Sequence, residues 1–444
     1  MKPIGVKEEK ALAIVRRLAE HGFKAYLAGG CVRDHVLGVP AKDYDIATDA
    51  RPQTVQKLFE HTVAVGAHFG VIVVVLEGDR FEVATFRADE PYLDGRHPSS
   101  VRFGTLEEDA KRRDFTINGM YYDPNADRVI DLVGGMEDLR AGKIRAIGDA
   151  NQRFEEDRLR MLRAVRFAAR LNFEIEEQTL VAIQRNAPLI KSVSAERIGE
   201  EFVRILTEGG AARGVDLLRQ TKLMREVMPE MLELEGCEQP ANFHPEGDVY
   251  RHTLLALSML GQGCSETLAF GTMLHDIAKP RCRAINGGKI TFYGHSEVGA
   301  EMARAILRRL RRPKAVEDRV AYLVRYHLRP CMAPRMREAT LKRMVMEEGF
   351  SELLELCLLD ALASNSYLGY YHLCRQAMEA CRTQKAKPPR LLTGHDLIAL
   401  GLEPGPDVGK LLREVEDLQL EGKLKDRAQA LAYAEERIAN LKLQ

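Results

Sequence analysis

The sequence lacks net charge, paired cysteines and any long hydrophobic run. Its 444 residues carry 65 basic and 65 acidic side chains, so a polyanion could be attracted only by a local patch. The eight cysteines include no C-x-x-C pair, which predicts reduced thiols in a cytoplasmic protein. The longest apolar run, VIVVVL at 71–76, is far below the roughly 20 residues of a membrane-spanning helix. No membrane contact is therefore expected, and no obligate protein partner is indicated.

The spacing of apolar residues divides the chain into a mixed head and a helical remainder. Up to about residue 150, short apolar runs and alternating segments predict an α/β (α+β) fold. Beyond it, apolar residues recur every three or four positions, which predicts helices. Breaks at 236–250 and 385–390 are rich in Pro, Gly or polar residues. We therefore expect a head at 1–150, a helical neck and body at 151–235, an all-α domain at 236–385 and a helical tail at 386–444.

Two carboxylates in the head indicate catalysis. Asp43 and Asp45 lie two apart on a predicted strand, so their side chains share one face. Like charges this close repel unless a cation lies between them, and oxygen ligands favour Mg²⁺. Glu82, on a neighbouring predicted strand, would complete a site for two ions and phosphoryl transfer. Taken alone, however, a D-x-D pair is more often a surface turn.

A glycine pair precedes these carboxylates. In YLAGGCVRDHVLG, Gly29 and Gly30 stand between an apolar strand and a helical pattern that carries Arg33. Glycines permit close backbone approach and a helix N-terminus favours phosphate, so this segment predicts a nucleoside triphosphate site. A simple tight turn explains the glycines equally well.

Three motifs together resemble the bacterial class II tRNA nucleotidyltransferase and poly(A) polymerase family. They are LAGGCVRDHVLGVPAKDYDIAT, RRDFTINGMYY and RFEEDRLRMLRAVRF, and the resemblance covers about residues 20–235. It implies a polymerase-β-like head in which Asp43 and Asp45 bind metal and Glu82 is the third carboxylate. The further nucleotide contacts that it implies are Arg113, Asp114, Asn118, Glu156, Asp157 and Arg160.

The last motif also has a physical interpretation. On one continuous helix, Glu156, Asp157, Arg160 and Arg163 would fall within about 120° of one another and form one polar face. Cytosine and adenine present an amine beside a ring-nitrogen acceptor, whereas uracil and guanine present a carbonyl beside an N–H. A fixed Asp acceptor beside an Arg donor therefore selects C and A without a template. The alternative is a salt bridge on a solvated helix.

The polymer that is made depends on the segment DEPYLDGRHPSSVRF. It resembles the flexible loop of enzymes that add the terminal A, with Asp94 and Arg96 as its candidate residues. The G-R-R/K-F hallmark of poly(A) polymerases is replaced by GAHFG at 66–70. These features favour addition of C and A from CTP and ATP to tRNA. A poly(A) or A-only enzyme is one alternative, and a phosphohydrolase whose head only recognises RNA is another.

The domain at 236–385 concentrates histidines and aspartates in an ordered set. The set resembles the HD phosphohydrolase superfamily over about 245–365, and its candidate metal ligands are His252, His275, Asp276, His295, His327 and Asp360. Imidazoles suit ions such as Ni²⁺, Mn²⁺ or Co²⁺, and a two-metal site would hydrolyse phosphoesters. A catalytically inert scaffold is the alternative. The second His-Asp pair, His395-Asp396, more simply predicts a helix start.

One segment is strongly basic. Residues 304–343 contain 13 Lys or Arg against three acidic residues, which predicts either a phosphate-binding surface or a solvated helix face.

Overall fold

The computed structural model describes residues 5–64, 70–89, 101–240, 242, 244–364, 367–383 and 389–442. Two units emerge: unit 1 comprises Met1–Glu233, Leu260–Cys264 and Ile306–Arg312, and unit 2 comprises Leu234–Met259, Ser265–Ala305 and Pro313–Gln444. The four-part division expected from the sequence is finer and stays a prediction. Among the described residues, every helix is too short or too polar to cross a bilayer.

A mixed sheet forms the centre of the head in unit 1. The head elements are α1 (Val6–Glu20), β1 (Ala25–Ala28), α2 (Gly30–Val36), β2 (Asp45–Thr48), α3 (Pro52–Leu58), β3 (Thr62–Val63), β4 (Val71–Leu76), β5 (Asp79–Thr85), β6 (Arg87–Asp89), β7 (Val101–Phe103), α4 (Leu106–Lys111), β8 (Met120–Asp123), β9 (Arg128–Asp131), α5 (Gly135–Ala141) and β10 (Lys143–Ile144). The sheet order is β3-β4-β5-β2-β1-β8-β9. Strands β2 and β5 run parallel, with Ile46 opposite Val83, and the other neighbours are antiparallel.

The expected strand around the Asp pair is shorter than predicted. Asp45 opens β2, where it pairs with Ala28, and Asp43 lies before the strand. The ladder ends there because β1 gives way to α2 immediately after Ala28. Gly29 makes this turn with a φ of 75°, and a Cβ on it would lie 3.0 Å from Arg113 Nη1. A side chain at this position would therefore strain the backbone and crowd the Arg113 guanidinium.

Helices follow the head in unit 1. They are α6 (Ala150–Glu156), α7 (Arg160–Leu171), α8 (Glu177–Asn186), α9 (Ala195–Thr207), α10 (Ala211–Gln220) and α11 (Leu223–Val227), with the short strand β11 (Glu174–Ile175) beside β10. Helix α7 packs against α9 and α10 through a stripe of buried apolar residues. Its two polar exceptions, Arg160 and Arg166, are buried and paired with carboxylates.

Unit 2 is helical apart from one hairpin. Its elements are α12 (Val249–Ser258), α13 (Glu266–Leu274), α14 (Lys279–Cys282), β12 (Ala284–Asn286), β13 (Lys289–Thr291), α15 (His295–Arg309, which ends in unit 1), α16 (Lys314–Tyr326), α17 (Glu338–Val345), α18 (Phe350–Ala363), α19 (Gly369–Thr383), α20 (Gly394–Ala399), α21 (Pro406–Leu420) and α22 (Arg427–Lys442). Helix α13 packs against α12, α16 and α18. The tail has its own apolar cluster, which includes Leu397, Leu411 and Ile438.

The fold class expected from the sequence is confirmed: a mixed head precedes a mostly helical remainder. The three small ladders β6–β7, β10–β11 and β12–β13 were not predicted. The hairpin turns at Gly287-Gly288, whose φ angles of 57° and 78° lie in the left-handed region that glycine adopts without strain.

Candidate active sites

A large cavity in unit 1 brings most of the predicted head residues together. Its volume is about 1050 Å³. The predicted residues that line it are Gly29, Gly30, Arg33, Asp43, Asp45, Arg113, Asp114, Asn118, Asp157, Arg160 and Arg163. Glu82 and Glu156 lie outside the lining. Nine arginines line the cavity against six carboxylates, a surplus of positive charge that suits a polyphosphate.

The three carboxylates of the head crowd one another. Asp45 is open to the cavity, yet the protein mass around it and the nearby Glu82 and Asp43 raise its pKa to about 6, against the opposing charge of Arg113. The Asp43 side chain is 72% exposed, and its Oδ1 forms an ion pair with Lys7 Nζ of α1 at 2.8 Å. A raised carboxyl pKa and a lysine held on the neighbouring carboxylate are the pattern expected where a cation belongs, so these residues fit a divalent metal.

A buried hydrogen-bond chain joins the three motifs behind the cavity. Arg33 Nη1 donates to Asn118 Oδ1 at 2.8 Å, and Asn118 Nδ2 donates to Asp114 Oδ1 at 3.2 Å. Arg163 holds the other oxygen of Asp114 with Nε at 2.9 Å and Nη2 at 2.6 Å. Although burial raises it, these donors lower the pKa of Asp114 to about 2. Asp114 therefore orients Asn118 and Arg163 and is charged throughout the working range of pH.

The pH dependence of stability tests this chain. A carboxyl whose pKa is depressed stabilises the fold above its unfolded pKa near 3.8 and loses that effect as pH falls toward 2. The stability advantage of the wild type over Asp114→Asn should therefore shrink by about 1 kcal/mol between pH 5 and pH 3. Urea unfolding followed by circular dichroism at both pH values measures it. Glu20→Gln, on the exposed side of α1, is the matched control, and an equal narrowing there would contradict the argument.

The expected continuous helix from Glu156 to Arg163 is wrong. Helix α6 ends at Glu156, Asp157 is extended with φ −140° and ψ 103°, and α7 begins at Arg160. The Asp157 carboxylate accepts the backbone N–H of Leu159 at 3.2 Å, which is how aspartate competes with helical hydrogen bonding and favours a helix start. The four residues therefore lie at a helix junction, where Asp157 and Arg160 both face the cavity and Glu156 does not.

The two candidate base-reading side chains are held by protein partners. Arg160 is 8% exposed, and its Nη1 pairs with Glu156 Oε2 at 2.8 Å while Nη2 donates to the Arg112 carbonyl at 3.2 Å. Asp157 accepts Arg197 Nη2 at 3.1 and 3.0 Å on its two oxygens. Both side chains are thus fixed before any nucleotide enters.

The predicted histidines and aspartates of unit 2 converge on one buried centre. His252 lies on α12, His275 and Asp276 follow α13, and Asp360 lies on α18. His252 Nε2 lies 3.2 Å from His275 Nε2 and 3.1 Å from Asp360 Oδ1. The second half of the centre is built on Asp276 Oδ1, which lies 3.5 Å from His295 Nε2 and 3.8 Å from His327 Nε2.

Each imidazole of this centre presents the same nitrogen to it. Each Nδ1 atom is hydrogen-bonded to an oxygen outside the centre. Three of them contact backbone carbonyls: His275 contacts Thr272 at 2.9 Å, His295 contacts Phe292 at 2.7 Å and His327 contacts Val324 at 2.6 Å. The fourth, of His252, contacts Glu246 Oε1 at 2.7 Å. Such partners fix the tautomer in which Nε2 is free to ligate a metal.

Two further observations fit a metal at this centre. Asp276 Oδ1 and His295 Nε2 are buried without a hydrogen-bond partner among the described residues. Although burial alone would lower it, hydrogen bonds to Asp360 and Glu246 raise the pKa of His252 to about 9. The carboxylates around His252 thus favour its protonated form, and a metal cation would supply positive charge at the same place. Two ligand groups share this centre, one of His252, His275 and Asp360 and one of Asp276, His295 and His327.

Three supporting residues escaped the sequence analysis. Arg197 holds Asp157, Glu246 holds the Nδ1 of His252, and Lys279 Nζ pairs with Asp276 Oδ2 at 2.7 Å. The i, i+3 spacing of Asp276 and Lys279 could have indicated the last pair. The Asp157–Arg197 contact joins segments 40 residues apart, for which a single sequence gives no signal, and Glu246 lies six residues before His252, a spacing that marks no helical pair.

The remaining predictions have mixed outcomes. Asp94, Arg96 and most of the 66–70 segment lie outside the described residues. The interpretation of His395-Asp396 as a helix start is confirmed, because Asp396 completes a capping box with Thr393 at the beginning of α20.

Family models match three ranges of the chain. These are the Poly A polymerase head domain at 25–145, the probable RNA and SrmB-binding site of polymerase A at 172–234 and the HD domain at 249–365. The CCA-adding enzyme of Streptococcus mutans is 31% identical over 434 residues, which is 97% of each chain. This chain belongs to the CCA-adding enzyme family.

Other CCA-adding enzymes match over shorter spans or by structure. The one from Bacillus licheniformis is 45% identical over 219 residues, so this chain spans about half of its length, 55%. The crystal structure of the Bacillus stearothermophilus CCA-adding enzyme in complex with CTP superposes with a TM-score of 0.74 at 29% identity, covering 100% of this chain and 99% of that one.

Proposed function

We propose that this protein is a template-independent, Mg²⁺-dependent nucleotidyltransferase that adds C and A from CTP and ATP to the 3′ ends of tRNA. The observation that carries the proposal is the cavity in which Asp43 and Asp45 lie with Asp157, Arg160 and an excess of arginine. The family membership favours this activity over poly(A) or A-only addition. A cytoplasmic location, expected from the reduced cysteines, goes with it.

Some residues of the head site supply charge for metal and phosphate, and others hold those residues in position. Asp43 and Asp45, with Glu82 beside them, would hold Mg²⁺, which when bound supplies electrostatic stabilisation of the transferring phosphoryl group. The Gly29 turn lets a triphosphate approach the backbone closely, and Arg113 lies beside that turn. Asp114, held by Arg163, keeps Asn118 and Arg33 in place at the same wall. The tRNA 3′ hydroxyl attacks the α-phosphate, and pyrophosphate leaves.

The choice of base is assigned to Asp157 and Arg160. Arg160→Ala should reduce the preference for C and A over U and G by roughly tenfold to a hundredfold, because a hydrogen bond to a charged group contributes about 1.5 to 3 kcal/mol. Incorporation ratios from competing NTPs measure this. Arg185→Ala, on α8 and outside the cavity lining, is the matched control. Unchanged base preference in Arg160→Ala would refute the assignment.

Purified protein tests the polymer directly. It is incubated with tRNA ending in the discriminator base, in CC or in CCA, with each NTP separately and then together, and the 3′ ends are sequenced. CCA addition predicts CMP incorporation only on the first substrate and AMP only on the second. Long A tracts on all three would favour the poly(A) alternative, and no incorporation would favour a head that only recognises RNA.

We also propose that the HD centre is a metal-dependent phosphoesterase. His252, His275, Asp276, His295, His327 and Asp360 would hold one or two transition-metal ions such as Ni²⁺, Mn²⁺ or Co²⁺, which when bound activate water and neutralise the phosphate. The convergence of four Nε2 atoms supports this proposal, because an inert scaffold needs no such arrangement. Conversion of 2′,3′-cyclic nucleotides into nucleoside 2′- or 3′-monophosphates with each metal, after chelation and reloading, tests it.

A further inference from the structure

An aromatic cavity lies next to the HD centre. Its volume is about 470 Å³, within the range of small-molecule pockets. It is lined by Pro240, His244, the segment from Ile290 to Glu297 and Leu328. His295 belongs both to this lining and to the metal-ligand group with Asp276 and His327, so the cavity opens directly at that group.

The aromatic segment is tied to the metal ligand. The Phe292 carbonyl accepts from His295 Nδ1 at 2.7 Å, and Lys279 Nζ lies 5.5 Å from the centroid of the Phe292 ring. Between Phe292 and His295, Gly294 adopts a φ of 76°, a conformation that favours glycine. Tyr293 and His295 lie on either side of this glycine, so that one short segment supplies a candidate metal ligand and an aromatic ring.

Tyr293 is the least buried large apolar side chain among the described residues, with 83% of its surface exposed. Leu328, on the same cavity, is 45% exposed. An exposed aromatic beside an apolar wall is a stacking surface for a flat ring. The described lining includes no arginine or lysine, and it includes Glu297, so the cavity repels phosphate and suits an uncharged group.

We infer that this cavity binds the nucleobase of a nucleoside phosphoester whose phosphate lies at the HD centre, and that Tyr293 is a specificity-determining residue that stacks on the base. The inference rests on the proposed phosphoesterase and names its substrate class: nucleoside phosphoesters, such as those at RNA ends, are preferred over phosphoesters without a base. The base contributes binding, so its loss raises KM while kcat stays close to that of the nucleoside substrate.

A matched pair of substrates tests the inference. Adenosine 2′,3′-cyclic phosphate and glycerol 1,2-cyclic phosphate carry the same five-membered cyclic phosphodiester, and the second has no base. We expect the wild type to show a lower KM for the nucleoside than for the glycerol compound. In Tyr293→Ala the ratio of the two KM values should fall about tenfold, and in Tyr293→Phe it should stay as in the wild type. Ile285→Ala is the control. Ile285 is 61% exposed on the β12–β13 hairpin that precedes Tyr293, and it does not line the cavity.

Photolabelling supplies a second measurement that needs no turnover. 8-Azidoadenosine 2′,3′-cyclic phosphate should label residues 290–297 in the wild type and less in Tyr293→Ala, and mapping the labelled peptide separates this site from any label in the head. If the wild type hydrolyses both substrates and Tyr293→Ala keeps the same preference, the inference is wrong although the phosphoesterase stands. If neither substrate is hydrolysed, the phosphoesterase proposal fails, and label absent from 290–297 then overturns the base site as well.

Discussion

Replacing Asp45 by alanine is expected to abolish nucleotide addition, with a loss of roughly a thousandfold or more. The carboxylate faces the cavity, and the surrounding protein together with the like charges of Glu82 and Asp43 raises its pKa to about 6, so it fits a metal ligand better than a structural group. A metal ligand at a phosphoryl-transfer site contributes several kcal/mol to transition-state stabilisation, and each 1.36 kcal/mol is a factor of ten in rate. Incorporation of labelled CMP into tRNA lacking CCA measures the loss.

The same substitution should leave the fold intact, because no ion pair joins the Asp45 side chain to another described residue and removing the carboxylate relieves repulsion with Glu82. Thermal unfolding should therefore be unchanged or slightly raised, and HD phosphoesterase activity should be retained. Glu20→Ala, an exposed carboxylate on α1, controls for the loss of one negative charge in the head. Substantial CMP incorporation by Asp45→Ala would refute the two-metal interpretation of the D-x-D pair.

The sequence predicted the members of the head site better than their geometry. The motifs identified Asp43, Asp45 and Asp157, because residue type and order carry the chemistry. The helix break at Asp157 and the late start of β2 at Asp45 depend on local competition: the Asp157 carboxylate accepts the backbone N–H of Leu159, and a strand ends where its partner turns. The spacing of apolar residues does not register interruptions at one residue, so the predicted helix ran through Asp157 and the predicted strand began before Asp45.

Charge counting in 304–343 takes no account of ion pairs with the rest of the chain. The surplus in 304–343 is largely offset by carboxylates outside that segment: Arg329 pairs with Glu347 at 2.7 Å, and Arg319 pairs with Glu352 at 2.7 Å. Within the segment, Lys342 pairs with Glu338 at 2.7 Å. These ion pairs weaken the case for a phosphate-binding surface, and a count over the segment cannot anticipate the first two because Glu347 and Glu352 lie outside it, 18 and 33 residues from their arginines.

For the HD centre, the sequence predicted the set of candidate ligands but not the contacts that orient them. Its six candidate ligands were predicted from an ordered His and Asp pattern, and the structure brings all six to one buried place. The carbonyls of Thr272, Phe292 and Val324 could not be predicted, since any residue offers the same backbone oxygen. What the structure adds is therefore the orientation of each imidazole, which decides whether the set can ligate a metal.

Asp276→Asn is expected to remove metal from the HD centre while nucleotide addition stays within about twofold of the wild type. The carboxylate lies between both ligand groups, with Oδ2 at 3.2 Å from His275 Nε2 and Oδ1 at 3.5 Å from His295 Nε2. An amide preserves its volume but loses the negative charge that metal binding requires, so we expect at least a hundredfold loss of phosphoesterase activity. Metal content is measured by mass spectrometry after loading with Ni²⁺, Mn²⁺ or Co²⁺.

Two further variants make this prediction decisive. Asp276→Asn also deprives buried Lys279 of its 2.7 Å partner, so a folding defect could imitate metal loss. His295→Ala leaves that ion pair in place and should lose metal from the same centre. Asp396→Asn alters the other His-Asp pair of the chain, where the carboxylate caps α20, and should change neither metal content nor either activity. If Asp276→Asn and His295→Ala both retained full metal and full hydrolysis while folded, the centre would be a structural cluster of histidines and not a metal site.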